Sequence, residues 1–186
     1  MKFAILILFC SVFSIKICSQ TNSNPPHSSD TLTCPIRSYS DYFASPYNIK
    51  SYYDYYEGLS CSRISNKPYL IYFSGHGSLS SREMEAYVWS DTAILRLLKN
   101  EFVISTLYVD DQSALSINKD DSIKSYGKKQ LYIEQTKFKI KIYPSYFIVN
   151  GKEILLAGPY YFNLTIDSFI NFLQEGIKKY KNDQTN

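Results

Sequence analysis

The chain has 186 residues, enough for one domain with a substantial core. Hydrophobic residues make up 45% of it and aromatic residues 16%, with 18 Tyr and 11 Phe, which excludes a chain disordered throughout. The formal charge is +3; without Lys2 and Lys16, which lie in a leader-like stretch, 20 − 2 = 18 basic residues face 17 acidic ones, a net of +1 that offers no footprint for nucleic acid or an anionic membrane surface.

Residues 1–19 read as a secretory signal peptide. Lys2 supplies the charged start and Phe3 to Ile15 an apolar stretch too short for an ordinary membrane span. Cleavage after Ser19 leaves Gln20 first, and no other segment is long and apolar enough to cross a bilayer. A retained anchor is the competing reading. The expected location is outside the cytoplasm, periplasmic or secreted. Cys10 and Cys18 leave with such a leader, so the mature chain holds Cys34 and Cys61. Export permits a disulfide between them. The alternative is that Cys61 is a small apolar residue on a helix and Cys34 a free thiol; sequence gives no distance with which to decide.

Residues 20–46 are polar and broken, rich in Ser, Asn and Pro, and read as a flexible arm. The domain is expected over 47–181, followed by a polar tail, 182–186. Asp54 with Glu57 three later predicts a helix start, with Tyr55, Leu59 and Ser62 at helical spacing. Gly58 weakens that helix by about 1 kcal/mol relative to alanine. The YYDYY run is expected to be a partly buried helix face rather than a binding surface.

Tyr69 to Phe73 is a short apolar run that predicts a buried strand. Gly75 and Gly77 break it, and from Leu79 onward Met84 and Val88 fall four apart with Arg82, Glu83 and Glu85 between, predicting a helix. Ser78 to Ser81 therefore sit where a helix N-terminus presents free N–H groups. A second helix restarts at Ser90 or Asp91 and stops near Asn100. Phe102 to Val109 is a second apolar strand, and strand, helix, strand in this order is a βαβ unit. Residues 110–126 form a polar loop. Asp110, Asp111, Asp120 and Asp121 lack the spacing and central glycine of a calcium loop and read as solvated charge.

Lys128 to Lys139 predicts a helix, and two apolar strands then flank Asn150-Gly151, a strong hairpin signal. Pro144 heads the first of these strands, where a missing N–H is tolerated. From Asn163 a closing helix carries Ile166, Phe169, Ile170 and Leu173 on one face, with a lysine-rich end. Asn163-Leu164-Thr165 matches a glycosylation sequon, meaningful only in a source that glycosylates exported proteins.

The segment FSGHGSLSSREMEAYVWSD resembles the active-site segment of the thioredoxin-fold domain at the C-terminus of DsbD-type thiol:disulfide interchange proteins. The resemblance runs from about Tyr47 to Lys181 and includes DYYEGLSCSRISNKP, LLKNEFVISTLYVDD and YPSYFIVNGKEIL. It implies a thioredoxin-like α/β fold, a central mixed sheet with helices on both faces. It also implies a cis Tyr143–Pro144 bond beside the active site, and a peptide groove at Tyr143, Pro144, His76 and Gly77. Where that family carries Cys-x-x-Cys, this chain has Ser78-Leu79-Ser80-Ser81. Related thioredoxin-fold enzymes commonly carry a buried acid six residues before the first cysteine; that position is Tyr72 here. Glu85, where the family also carries an acid, is retained, as is Trp89.

Serine cannot replace either cysteine. A hydroxyl forms no redox couple, and a helix dipole worth about 0.3–1 kcal/mol cannot ionise an alcohol near neutrality. The expected role of Ser78 and Ser81 is capping. Hydrolysis is disfavoured: His76 lies two residues from Ser78, but GHGS lacks the G-x-S-x-G elbow and no third group is placed. Two histidines far apart and two cysteines without ligand spacing leave no metal site, and no cofactor is expected. Two readings stand. One is a redox-inactive thioredoxin-like module that binds an exported polypeptide along an extended strand. The other is a thiol–disulfide oxidoreductase in cell-envelope redox homeostasis that works on a partner protein through Cys34 and Cys61.

Overall fold

The computed structural model describes Cys34, Tyr47, residues 49–115 and residues 123–185. The expected signal peptide, most of the expected arm, Asp120 and Asp121 lie outside the described residues. The chain order is α1 (Tyr55–Ser65), β1 (Tyr69–Ser74), α2 (Leu79–Glu83) running into a π turn (Met84–Val88), α3 (Thr92–Glu101), β2 (Val103–Tyr108), α4 (Tyr126–Ile133) with a second π turn (Glu134–Phe138), β3 (Ser145–Val149), β4 (Leu155–Tyr161) and α5 (Ile166–Gln184).

The four strands form one mixed sheet in the order β2-β1-β3-β4. β1 runs parallel to β2, from Tyr69↔Val103 to Ser74↔Tyr108, and antiparallel to β3, from Tyr69↔Val149 to Phe73↔Ser145. β1 is buried at all six positions, and its alternate residues feed two cores. Leu70 and Tyr72 pack with Met84, Val88, Trp89, Ile94 and Phe169. Tyr69, Ile71 and Phe73 pack on the opposite face with Tyr55, Leu59, Ile133 and Phe147. The sheet is therefore covered by helices on both faces, an α/β architecture.

Local signals explain the boundaries. Asp54 Oδ1 accepts from the Tyr56 and Glu57 N–H groups and starts α1, while Asn66 ends it in the left-handed region at φ 52°. Asp91 starts α3 in the same way, accepting from Ala93 and Ile94. Gly58 has a reason beyond helix propensity. A Cβ there would lie 2.7 Å from the Tyr69 ring, so α1 approaches β1 and β2 only because the position is glycine.

Three details differ from the sequence expectation. The Asn150-Gly151 hairpin is not a two-residue turn: β3 pairs with β4 at Val149↔Leu155, and Asn150 Oδ1 accepts from the N–H groups of Lys152 and Ile154, organising a five-residue loop. Ile166 opens α5 but is 37% exposed; Phe169, Phe172, Leu173, Gly176 and Tyr180 form the buried stripe. That helix also runs through Asn182 and Asp183 to Gln184, into the stretch expected to be a tail.

Candidate functional site

The site forms where β1 ends. Gly75, His76 and Gly77 turn the chain, and their conformation is held from the neighbouring strand: the Asp110 carboxylate accepts from His76 N at 2.8 Å and from Gly77 N at 3.1 Å. Asp110 is exposed, as a solvated charge would be, and its carboxylate also clamps the turn. Asp111 is buried and accepts from the Ser113 N–H at 2.8 Å, which departs from the solvated reading. The His76 ring stacks on Tyr108, with centroids 3.8 Å apart.

Ser78 is the N-cap of α2. Its Oγ accepts from the Ser81 N–H at 3.3 Å and from the Ser81 hydroxyl at 2.9 Å. Ser81 is fully buried, whereas the adjacent Leu79 is 73% exposed. The two serine positions therefore bond to each other at the start of the helix.

Beneath them lies a buried polar cluster. Tyr72, the β1 residue six positions before Ser78, donates its hydroxyl to Glu85 Oε1 at 2.7 Å. Arg82 pairs with the same carboxylate oxygen at 2.7 Å and donates to Ser74 Oγ at 3.1 Å, and Ser74 donates to the Tyr72 hydroxyl at 3.1 Å. The Tyr72 ring stacks on Tyr146 at 4.5 Å and leans on Trp89 at 5.2 Å. Burial pushes the Glu85 carboxyl up to about 7, outweighing the opposing pull of Arg82 and the Tyr72 hydrogen bond. Burial, and then the Glu85 charge, pushes the Tyr72 phenol well above its ordinary value. The cluster's one carboxyl comes from the adjoining π turn.

On the other side, one step beyond the last β1–β3 pair, Phe73↔Ser145, lie Ser74 and Pro144. The Tyr143–Pro144 peptide is cis; Pro144 is buried and Tyr143 is 40% exposed. Ser145 pairs with Tyr161, and the Asn163 N–H donates to Met84 Sδ at 3.4 Å, which draws the β4–α5 loop toward the π turn. Leu79, Tyr143, Phe162 and Leu164 are exposed large apolar side chains on these three segments.

Cys34 and Cys61 are joined by a disulfide, with Cα atoms 5.0 Å apart. The bridge is not part of the serine site. Cys61 belongs to the core on the sheet face opposite Tyr72 and Met84. The bridge also borders a cavity lined by Val103 and Ile104, at the start of β2, while Ser78 follows the end of β1; the two strands run parallel. Among the described residues, no group of three or more His, Cys, Asp or Glu side chains is placed to hold a metal ion, and no helix is long and apolar enough to cross a membrane.

Sequence reasoning missed Asp110, the Tyr72–Glu85 bond and the π turn. Only the i, i+3 spacing of Arg82 and Glu85 was a visible signal for the cluster. Asp110 lies 34 residues from His76 and meets it only because β1 and β2 are paired.

No protein-family model matches the chain, and no curated protein does. Solved structures do. The chain is similar to a DsbH oxidoreductase at 12% identity and TM-score 0.53, covering 69% of this chain and 84% of that one. It is similar to a thioredoxin from Thermus thermophilus at 18% identity and TM-score 0.51, covering 67% and 85%. A likeness to the oxidised C-terminal domain of DsbD from Neisseria meningitidis covers 68% and 98%, at 13% identity and TM-score 0.49. With the mixed sheet and its two helical faces, the first two similarities define the fold as thioredoxin-like α/β.

Proposed function

We propose that this is an exported thioredoxin-like protein of the thiol:disulfide interchange type, redox-inactive at the usual position and acting as a polypeptide-binding module. One observation carries the reading. Where exchange chemistry needs two sulfur atoms at a helix N-terminus, the chain has two hydroxyls bonded to each other at 2.9 Å, and neither can attack a disulfide or resolve a mixed one. The surroundings nevertheless keep features suited to an extended peptide: exposed Leu79, Tyr143, Phe162 and Leu164 on the segments that follow β1, precede β3 and follow β4. Export rests on the leader-like residues 1–19, and N-terminal sequencing of secreted protein should begin at or near Gln20.

The peptide reading is tested by titrating the protein with a library of extended, disulfide-free peptides and following backbone amide shifts. Saturable shifts centred on His76–Ser78 and Tyr143, weakened about tenfold by Tyr143→Ala, support it. Shifts that map elsewhere, or that ignore the substitution, overturn it.

A second reading is favoured by the Cys34–Cys61 bridge: a thiol–disulfide oxidoreductase, as the name of the similar DsbH protein suggests, using that pair on a partner protein. Reductase turnover that disappears when both cysteines are replaced by alanine would select it.

A further inference from the structure

At the opposite end of the sheet from the serine site is a cavity of about 440 Å³, within the range of roughly 300–1,000 Å³ typical of small-ligand pockets. Its floor is apolar: Ile49, Leu98, Phe102 and Ile104 line it, each at most 5% exposed. Its described rim carries three lysines, Lys50, Lys67 and Lys99, and no aspartate or glutamate. Lys67 donates to the Asn100 carbonyl at 2.6 Å. Among the described residues none of the three ammonium groups is paired with a carboxylate; the ion pairs of the domain lie elsewhere, at Arg82, Lys129, Lys137 and Lys179.

Three like charges around one apolar hollow are poorly arranged for a neutral or cationic guest. They suit a small amphiphile whose hydrocarbon part fills the floor while an anionic head meets the rim. We infer that this cavity, walled on one side by the Cys34–Cys61 bridge, is a binding site for a small apolar carboxylate. The site is separate from the serine turn and stands or falls independently of the peptide reading.

The charge complementarity is separable from the hydrophobic fit by comparing guests that share a tail. Octanoate, octanol and octylammonium, each below its micellar concentration, are titrated into the full-length mature protein with the methyl groups of Ile49, Leu98 and Ile104 as NMR reporters. Octanoate is expected to shift these methyls saturably, and octanol and octylammonium to bind more weakly. Lys50→Gln with Lys99→Gln, both exposed and away from the core, is expected to weaken octanoate about three- to tenfold and to leave octanol unchanged. Absence of saturable octanoate shifts at these methyls overturns the site. Equal binding of octanol, or octanoate binding indifferent to the lysine substitutions, overturns the anionic specificity.

Discussion

The Tyr72 hydroxyl donates to the Glu85 carboxylate at 2.7 Å across the interface between β1 and the π turn, with both side chains buried. Removing the hydroxyl leaves the carboxylate with Arg82 as its remaining charged partner. Tyr72→Phe is therefore expected to destabilise the fold by about 1–3 kcal/mol although it deletes a single oxygen, because a buried acceptor loses a partner. Combining it with Glu85→Gln should cost less than the sum of the two, since both act on one network. Urea unfolding of the four proteins measures the coupling, and strictly additive costs would mean the bond contributes nothing.

The same burial predicts a pH dependence. Glu85 and Glu134 are both pushed up to about 7, in each case mainly by burial, from an ordinary value of 4.5. Each native carboxyl holds its proton up to about 7, whereas the unfolded chain loses it near 4.5. The native state therefore binds more protons across that interval. The stabilisation from each group is complete below 4.5 and lost as pH rises toward 7, by up to about 3 kcal/mol per group. Unfolding free energy should fall from pH 5 to pH 7, and Glu85→Gln should remove its share of the slope. A flat profile, or one unchanged by Glu85→Gln, would contradict the assignment.

The elements most legible in the sequence were those set by local chemistry. Asp54 and Asp91 announced two helix starts, continuous apolar runs marked β1 and β2, and Asn150-Gly151 marked a hairpin. Legibility ended where contacts cross elements. Asp110 looks like one of several loop acids until β1 and β2 pair and bring it under His76 and Gly77. Tyr72 looks like the loss of a buried acid, yet it bonds to Glu85, 13 residues along. The π turn has no signature, since Met84 to Val88 also fits an α-helical pattern; it is visible only in the Trp89 N–H bonding back to Met84 O at 3.0 Å.

Gly58 gives a test in which propensity and packing oppose each other. On propensity alone, Gly58→Ala should stabilise α1 by about 1 kcal/mol. In the structure the added Cβ would meet the Tyr69 ring at 2.7 Å, and the Tyr69 hydroxyl is held by Ser105 Oγ at 2.7 Å and by the Tyr55 carbonyl at 2.9 Å. Net destabilisation of about 1–3 kcal/mol is expected from overpacking. A thermal midpoint above that of the parent protein would show that α1 can move away from the sheet freely.

The disulfide closes a loop of sequence separation 27, worth about 3–4 kcal/mol on the chain-entropy account. Cys61→Ala should lower the urea midpoint by a corresponding amount, and added dithiothreitol should do the same to the parent protein while leaving the variant unchanged. Equal midpoints with and without reductant would mean that the bridge contributes no stability.

The decisive chemical test is at the serines. The parent protein should show no insulin-reductase turnover through Ser78 and Ser81, because exchange needs a thiolate at the attacking atom. In Ser78→Cys with Ser81→Cys, the first sulfur would occupy the N-cap position of α2, above the Tyr72–Glu85 pair. A helix N-terminus favours the thiolate, so measurable turnover is expected to appear. Adding Tyr72→Asp to that variant tests whether an acid is needed in β1 when Glu85 already supplies a buried carboxyl; the expected result is little further gain in rate and a loss of stability, since Asp would stand in an apolar strand. Turnover in the unmodified protein that persists after Cys34→Ala with Cys61→Ala would defeat the redox-inactive reading, since no cysteine would then remain outside the leader-like residues 1–19 to carry it.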